Sequence, residues 1–175
     1  MKKMIIKNVL HCIILSLMCI LTQELSFAQT QYYSTYKFFK TQNYHNQLRL
    51  NTKTGEVLQL QDDGGEWTVN YAITPTNNIP RYWLYETQNM WNFILLDTFT
   101  GKLWQCQFSV KGTEYIFTVP INNIALVDGN TNRFTIEPMT SMYQYYLIDN
   151  ETGSMWKFQW STKSEEGYRW IERFK

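Results

Sequence analysis

From Thr35 onward, apolar and polar residues alternate with a period of two in short runs, and the runs are separated by turns rich in Asn, Asp, Thr and Gly. This is the pattern of half-buried strands. In the middle of the chain the runs are Arg81 to Glu86, Met90 to Asp97, Lys102 to Val110 and Tyr115 to Ile121. Four comparable runs precede them: Thr35 to Lys40, Tyr44 to Asn51, Glu56 to Asp62 and Trp67 to Ile73. Four follow: Arg133 to Pro138, Met142 to Asp149, Ser154 to Ser161 and Tyr168 to Phe174. No window sustains a 3.6-residue period, and strand formers dominate throughout, so the pattern predicts an all-β protein of up to twelve strands.

The runs are copies of one unit. Leu95 to Phe108, LLDTFTGKLWQCQF, returns as Leu147 to Trp160, LIDNETGSMWKFQW, and more faintly as Arg49 to Asp62, RLNTKTGEVLQLQD. The Thr-Gly pairs 54–55, 100–101 and 152–153 are spaced by 46 and then 52 residues, a period that signals a repeat architecture. The repeats are expected at about 33–80, 81–132 and 133–175. Asp97, with Asn51 and Asp149 in its place elsewhere, puts an Asx side chain where it bonds the turn's own backbone, and the glycine supplies a positive φ.

The turn also sets a register. If Asp97 faces Lys102, then Leu95 faces Trp104, Phe93 faces Cys106 and Trp91 faces Phe108, which predicts the core face. The third repeat gives the same face through Tyr143, Tyr145, Leu147, Trp156, Phe158 and Trp160. The first repeat departs from it, with His45, Gln47, Arg49 and Asp62, and is expected at a wetter rim or against a polar partner. The opposite face pairs Asn46 with Gln61, Asn92 with Gln107 and Gln144 with Gln159, while Leu48 faces Gln59, Ile94 faces Gln105 and Tyr146 faces Lys157. A buried amide without a partner costs about 1–3 kcal/mol, so these amides must bond each other or face something polar.

Three units of four strands in a chain of this length suit a β-trefoil-like closure. The alternative is a set of propeller-like blades; three blades do not readily surround an axis, so that reading calls for closure by oligomerisation. The strings LLDTFTGKLW and LIDNETGSMW resemble the tryptophan-docking motif of quinoprotein-type propeller repeats, Ala-x-Asp-x-x-x-Gly-x-x-x-Trp. Asp97, Gly101 and Trp104, or Asp149, Gly153 and Trp156, stand in the matching roles. Leu95 and Leu147 replace the alanine, and each tryptophan comes one residue early, which turns its ring to the other strand face. The resemblance is one of turn chemistry, and it implies no quinone cofactor.

The first residues change the picture of compartment. Lys2, Lys3 and Lys7, the apolar run Val9 to Leu21, and Ser26-Phe27-Ala28 have the form of a secretory signal peptide, 1–28, too short and too closely followed by polar residues to span a membrane. This places a single domain, 29–175, in a secreted or periplasmic location, with no transmembrane segment after signal removal. Those first residues carry three lysines and one glutamate, so their removal takes the formal net charge from +1 to about −1. That balance lacks the clustered basic surface of a nucleic-acid binder. Cys106 is the one cysteine of the domain, so it forms no intramolecular disulfide and reads as a small buried hydrophobe.

Candidate chemistry points to binding rather than turnover. His45 is the one histidine of the domain, which leaves no several-imidazole metal site and no histidine-based triad with a spare base. Asp62-Asp63-Gly64-Gly65-Glu66 clusters hard oxygen ligands but lacks the spacing of a calcium loop and reads as a solvated turn. No catalytic residue, metal or cofactor is expected. Aromatic rings and threefold amides match the chemistry of sugar recognition, so the expected function is a non-catalytic binding module with carbohydrate the leading ligand class. The expected ligand-binding residues are Asn46, Gln61, Asn92, Gln105, Gln107, Gln144, Tyr146 and Gln159. The alternative is a structural or assembly subunit of an envelope or extracellular complex, because Ile94, Leu96, Leu103 and Met155 put apolar residues on the second face as well. A glycan or protein partner, or a second copy of the chain, is expected.

Overall fold

A computed structural model describes residues 34–74, 79–123, 125–129, 131–163 and 167–174. The expected signal peptide, 1–28, lies outside the described residues. Among the described residues, the unit that begins at Thr35 is all-β apart from one 3-10 turn at Thr113–Tyr115.

Its strands are β1 (Tyr36–Lys40), β2 (Asn46–Asn51), β3 (Val57–Gln61), β4 (Glu66–Asn70), β5 (Tyr82–Glu86), β6 (Asn92–Asp97), β7 (Leu103–Gln107), β8 (Phe117–Pro120), β9 (Phe134–Pro138), β10 (Gln144–Asp149), β11 (Met155–Gln159) and β12 (Trp170–Arg173). They form three antiparallel sheets, each a meander of four consecutive strands: β1 to β4, β5 to β8 and β9 to β12. Every sheet therefore takes its strands from one repeat. A β-trefoil closes by pairing strands of different repeats into a barrel, and no such pairing occurs among the described residues. No described helix is long and apolar enough to cross a membrane.

The register follows the turns. Phe93 faces Cys106, Leu95 faces Trp104 and Asn92 faces Gln107, and the third sheet pairs Leu147 with Trp156 and Gln144 with Gln159. In the first sheet Asn46 faces Gln61 and Leu48 faces Gln59. The second turn shows why. Gly101 N–H donates to Asp97 O at 2.9 Å, Phe99 N–H donates to Asp97 Oδ1 at 3.1 Å, and Thr100 Oγ1 donates to Asp97 Oδ2 at 2.6 Å. Gly101 lies at φ +72°, where a side chain is strained.

Two cores hold the sheets together. In one, Leu48, Leu50, Val57 and Val69 of the first sheet meet Tyr82, Leu84, Phe93, Leu95, Cys106 and Phe108 of the second. In the other, Ile94, Leu96 and Leu103 of the second sheet meet Phe134, Ile136, Tyr145, Leu147, Phe158 and Trp160 of the third. The middle sheet is thus covered on both faces, and all six residues of β6 are buried. Each fully buried Leu, Ile or Phe contributes about 1.5–3 kcal/mol relative to exposure, which is why the run NFILLD tolerates so few polar positions. The amide-bearing face of one sheet packs on the opposite face of the next, so all three sheets are stacked with the same sense.

The hairpin turns stitch the repeats end to end. Thr52 O accepts the N–H groups of Arg81 and Tyr82 at 2.8 and 2.9 Å, and Thr98 O accepts those of Arg133 and Phe134, both at 2.9 Å. Arg81 then forks onto Asp97, and Arg133 onto Asp149 at 2.7 and 2.5 Å. Each tether brings the first strand of a repeat against the turn of the repeat before it.

Candidate functional site

The predicted amide residues divide into two groups. Asn46, Asn92 and Gln105 are buried, at 2%, 1% and 0% exposure, and serve the contact between sheets rather than solvent. Gln59, which the same pattern placed opposite Leu48, is also at 0%. Gln59 Nε2 donates to Asn46 Oδ1 at 2.8 Å and to Ser109 O at 2.9 Å, and Ser109 N–H donates back to Gln59 Oε1 at 3.3 Å. One repeat later Gln105 Nε2 donates to Asn92 Oδ1 at 2.6 Å, and Gln105 Oε1 accepts from Ser161 N–H at 3.3 Å and Arg169 Nε at 2.8 Å. Gln59 and Gln105 are cross-sheet ties, each held by an asparagine of its own sheet, Asn46 or Asn92. A ligand reaches Asn46 and Gln105 only by parting the sheets, because packing of the next repeat covers the face on which the register places them, whereas Asn92, though buried, borders the cleft described below.

Gln61, Gln107, Gln144, Tyr146 and Gln159 are half-buried and remain partly accessible. Two amide pairs bond as the register requires: Asn92 Nδ2 donates to Gln107 Oε1 at 3.3 Å, and Gln144 Nε2 to Gln159 Oε1 at 3.0 Å. Each glutamine then reaches an aromatic residue of the following loop, Gln107 Nε2 to Tyr115 O at 3.0 Å and Gln159 Nε2 to Tyr168 O at 3.1 Å. The first repeat has no such loop. Gln61 N–H bonds Gly65 O at 2.8 Å and Gly64 N–H bonds Gln61 O at 3.0 Å, which closes a tight turn directly into β4. His45 Nδ1 sits 3.2 Å from Asp62 Oδ2 there, with both side chains more than half exposed, as the polar letters of that repeat imply.

Around the loop after β7 lies a run of three adjoining clefts. The first, about 280 Å³, is walled by Trp91, Asn92, Gln107, Lys111 and Tyr115, and Asn89 and Thr162 of the third repeat also line it. The second, about 190 Å³, shares Ser109, Val110 and Lys111 with the first and adds Gln61 and Trp67. The third, about 690 Å³, shares Trp67, Thr113 and Ile116 with the second and runs between β4 and β8 past Tyr71 and Phe117. Rings and hydrogen-bonding groups line this path together. Tyr115 is 49% and Tyr71 79% exposed, while Trp91 is anchored on Phe108 with ring centroids 5.3 Å apart. Asn89 Oδ1 accepts from Trp91 N–H and Asn92 Nδ2, both at 3.0 Å, and its Nδ2 has no partner among the described residues.

Of the ligand-binding residues expected from the sequence, Gln107, Asn92 and Gln61 line this path, whereas Trp91, Trp67, Tyr71 and Tyr115 were not among them. Their exposure depends on where loop 109–116 lands, which no periodicity reports. One usable signal was the recurrence of Ser-x-Lys after β7 and β11, at Ser109 to Lys111 and Ser161 to Lys163. In the third repeat Lys163 Nζ bonds Tyr168 Oη at 3.0 Å and lies 4.2 Å from its ring centroid.

Electrostatics add little chemistry to the clefts. Burial pushes the Cys106 thiol up to about 12, even with Thr118 Oγ1 donating to its sulfur, which suppresses the thiolate. Hydrogen bonds from Arg133 hold the Asp149 carboxyl well below the usual carboxylate range, at the hairpin turn and away from the clefts. Among the described residues no three His, Cys, Asp or Glu side chains gather to hold a metal ion. The chain matches no family model, no curated protein and no solved structure.

Proposed function

We propose that the protein is a non-catalytic binding module for carbohydrate, and that the ligand lies along the clefts around loop 109–116. The observation that carries this reading is the grouping of rings and amides on one continuous path, with Tyr115 and Tyr71 exposed and Trp91 and Trp67 half-buried beside Gln107 and Gln61. Sugar rings present apolar C–H faces to flat aromatic surfaces and hydroxyls to amide donors and acceptors. Gln107, already bonded to Asn92 and Tyr115, keeps one N–H and one lone pair for a hydroxyl. A secreted or periplasmic location, expected from residues 1–28, belongs to the same proposal.

The test is a glycan array followed by titration of intrinsic tryptophan fluorescence. Tyr115→Ala and Gln107→Ala are expected to weaken the best glycan at least tenfold without altering the fold. If both variants bind as wild type does, the ligand does not use this path.

The finer architecture belongs to this proposal too. Each sheet is a meander from one repeat and all stack with one sense, which supports propeller-like blades over a trefoil-like barrel. One observation favours a second reading, an assembly subunit. The stack ends in two different sheet faces, one on the first repeat and one on the third, and neither is covered by another described sheet.

A further inference from the structure

The two end faces match each other as the inner faces do, and we propose that the first repeat of one chain docks on the third repeat of a second copy, head to tail. This inference rests on the propeller-like stack described above and not on the carbohydrate reading.

The inner contacts define what such a face needs. On the receiving face of the second and third repeats, Tyr82, Leu84, Phe134 and Ile136 are 2%, 2%, 1% and 4% exposed. The repeat spacing puts Tyr36 and Phe38 at those places in the first repeat, where they are 48% and 61% exposed. Register confirms the placement: Tyr36 and Phe38 face Asn51 and Arg49 on β2, away from the chain's own core. An aromatic row is thus kept at interface positions with no described sheet over it. The other end shows the same feature. Tyr146, Ile148 and Met155 occupy the places of Ile94, Leu96 and Leu103, which are at 0%, yet they are only half-buried.

Charge supplies the specificity. At each inner contact a glutamine, Gln59 or Gln105, ties to the backbone of Ser109 or Ser161 in the next repeat. At the open end of the third repeat this position is Lys157, and in the first repeat the position of the two serines is Asp63, preceded by Asp62. The cation and the carboxylates replace the neutral tie only at the two ends, where no described sheet follows. Asp62 and Asp63 are exposed at the tight turn, and Lys157 is half-buried with Nζ 5.4 Å from the Trp170 ring centroid. A head-to-tail contact brings Lys157 of one chain to the Asp62–Asp63 turn of the other.

Such an interface is heterologous, so it must close into a ring or propagate. Two copies supply six sheets, within the four to eight of known propellers. A ring of two is the expected assembly.

Light scattering of the purified protein over a concentration series tests this, with Lys157→Glu, Asp63→Lys and the double exchange as variants. Wild type is expected at twice the chain mass at tens of micromolar. Each single charge reversal is expected to weaken association at least tenfold, and the double exchange to restore it, with unchanged circular dichroism in all three. A wild type that stays monomeric to about 1 mM overturns the docking while leaving the stack within the chain intact. Association indifferent to both single reversals overturns this pairing of faces.

Discussion

Gln59 in the first sheet and Ser109 in the loop between β7 and β8 exchange two hydrogen bonds, side-chain amide to main chain, across a junction between repeats. The glutamine is fully buried, so its bonds have no water to replace them. Gln59→Leu keeps the volume and removes the tie, leaving Ser109 N–H, Ser109 O and Asn46 Oδ1 short of a partner. The expected cost is about 1–3 kcal/mol, read as a lower urea midpoint with an unchanged slope. A midpoint equal to wild type would show that water satisfies these groups.

Asp149 makes stability depend on acid. Its carboxyl titrates below the ordinary aspartate value of about 3.9 because Arg133 bonds both oxygens and Thr152 Oγ1 adds a third bond. A group with a depressed folded value stabilises the fold fully above its unfolded value and loses that contribution as pH falls through it toward the folded one. Asp149→Asn is expected to flatten the urea midpoint between about pH 5 and pH 2. The turn itself survives the change, since Asn51 builds it in the first repeat by accepting from Lys53 and Thr54 N–H at 3.1 and 3.3 Å. Equal pH slopes for both proteins would contradict the assignment.

Two turn glycines separate backbone strain from packing. Gly101 and Gly153 lie at φ +72° and +70°, so alanine at either costs about 1–2 kcal/mol from conformation alone. A Cβ on Gly153 meets open space, whereas on Gly101 it comes within 3.1 Å of Leu126 and 3.3 Å of Phe134. Gly101→Ala is therefore expected to destabilise more than Gly153→Ala in chemical unfolding. The reverse order would mean that Phe134 yields freely, at odds with its place in the second core.

Cys106 is expected to resist thiol reagents at pH 8 in the native protein and to react at once in denaturant. Its side chain is 1% exposed and its thiolate is suppressed by burial. Fast labelling under native conditions would reveal opening between the first two sheets.

The strands and their register were legible because they rest on local rules. A period of two, an Asx residue and a glycine at the turn suffice to pair Asn92 with Gln107 and Leu95 with Trp104, and Gly101 then places the next strand. The site was only half legible. Gln61, Asn92 and Gln107 border the clefts, but Asn46 and Gln105 carry the same kind of side chain on the same face and are sealed between sheets. A register states which residues share a face, and not what covers that face.

The chain's own pattern was therefore enough to determine three four-stranded repeats, the hairpin turns and a first repeat whose outer face adds His45, Gln47, Arg49 and Asp62 to its apolar residues. Tertiary structure decided which glutamines became ties and which stayed at a surface. It also decided that the middle sheet has no free face and that loop 109–116 lines the clefts with Tyr115. The physical reason is range: turn conformation and alternation act over a few residues, whereas burial of an amide depends on a sheet some fifty residues away in the chain, as Gln59 on Ser109 and Gln105 on Ser161 show.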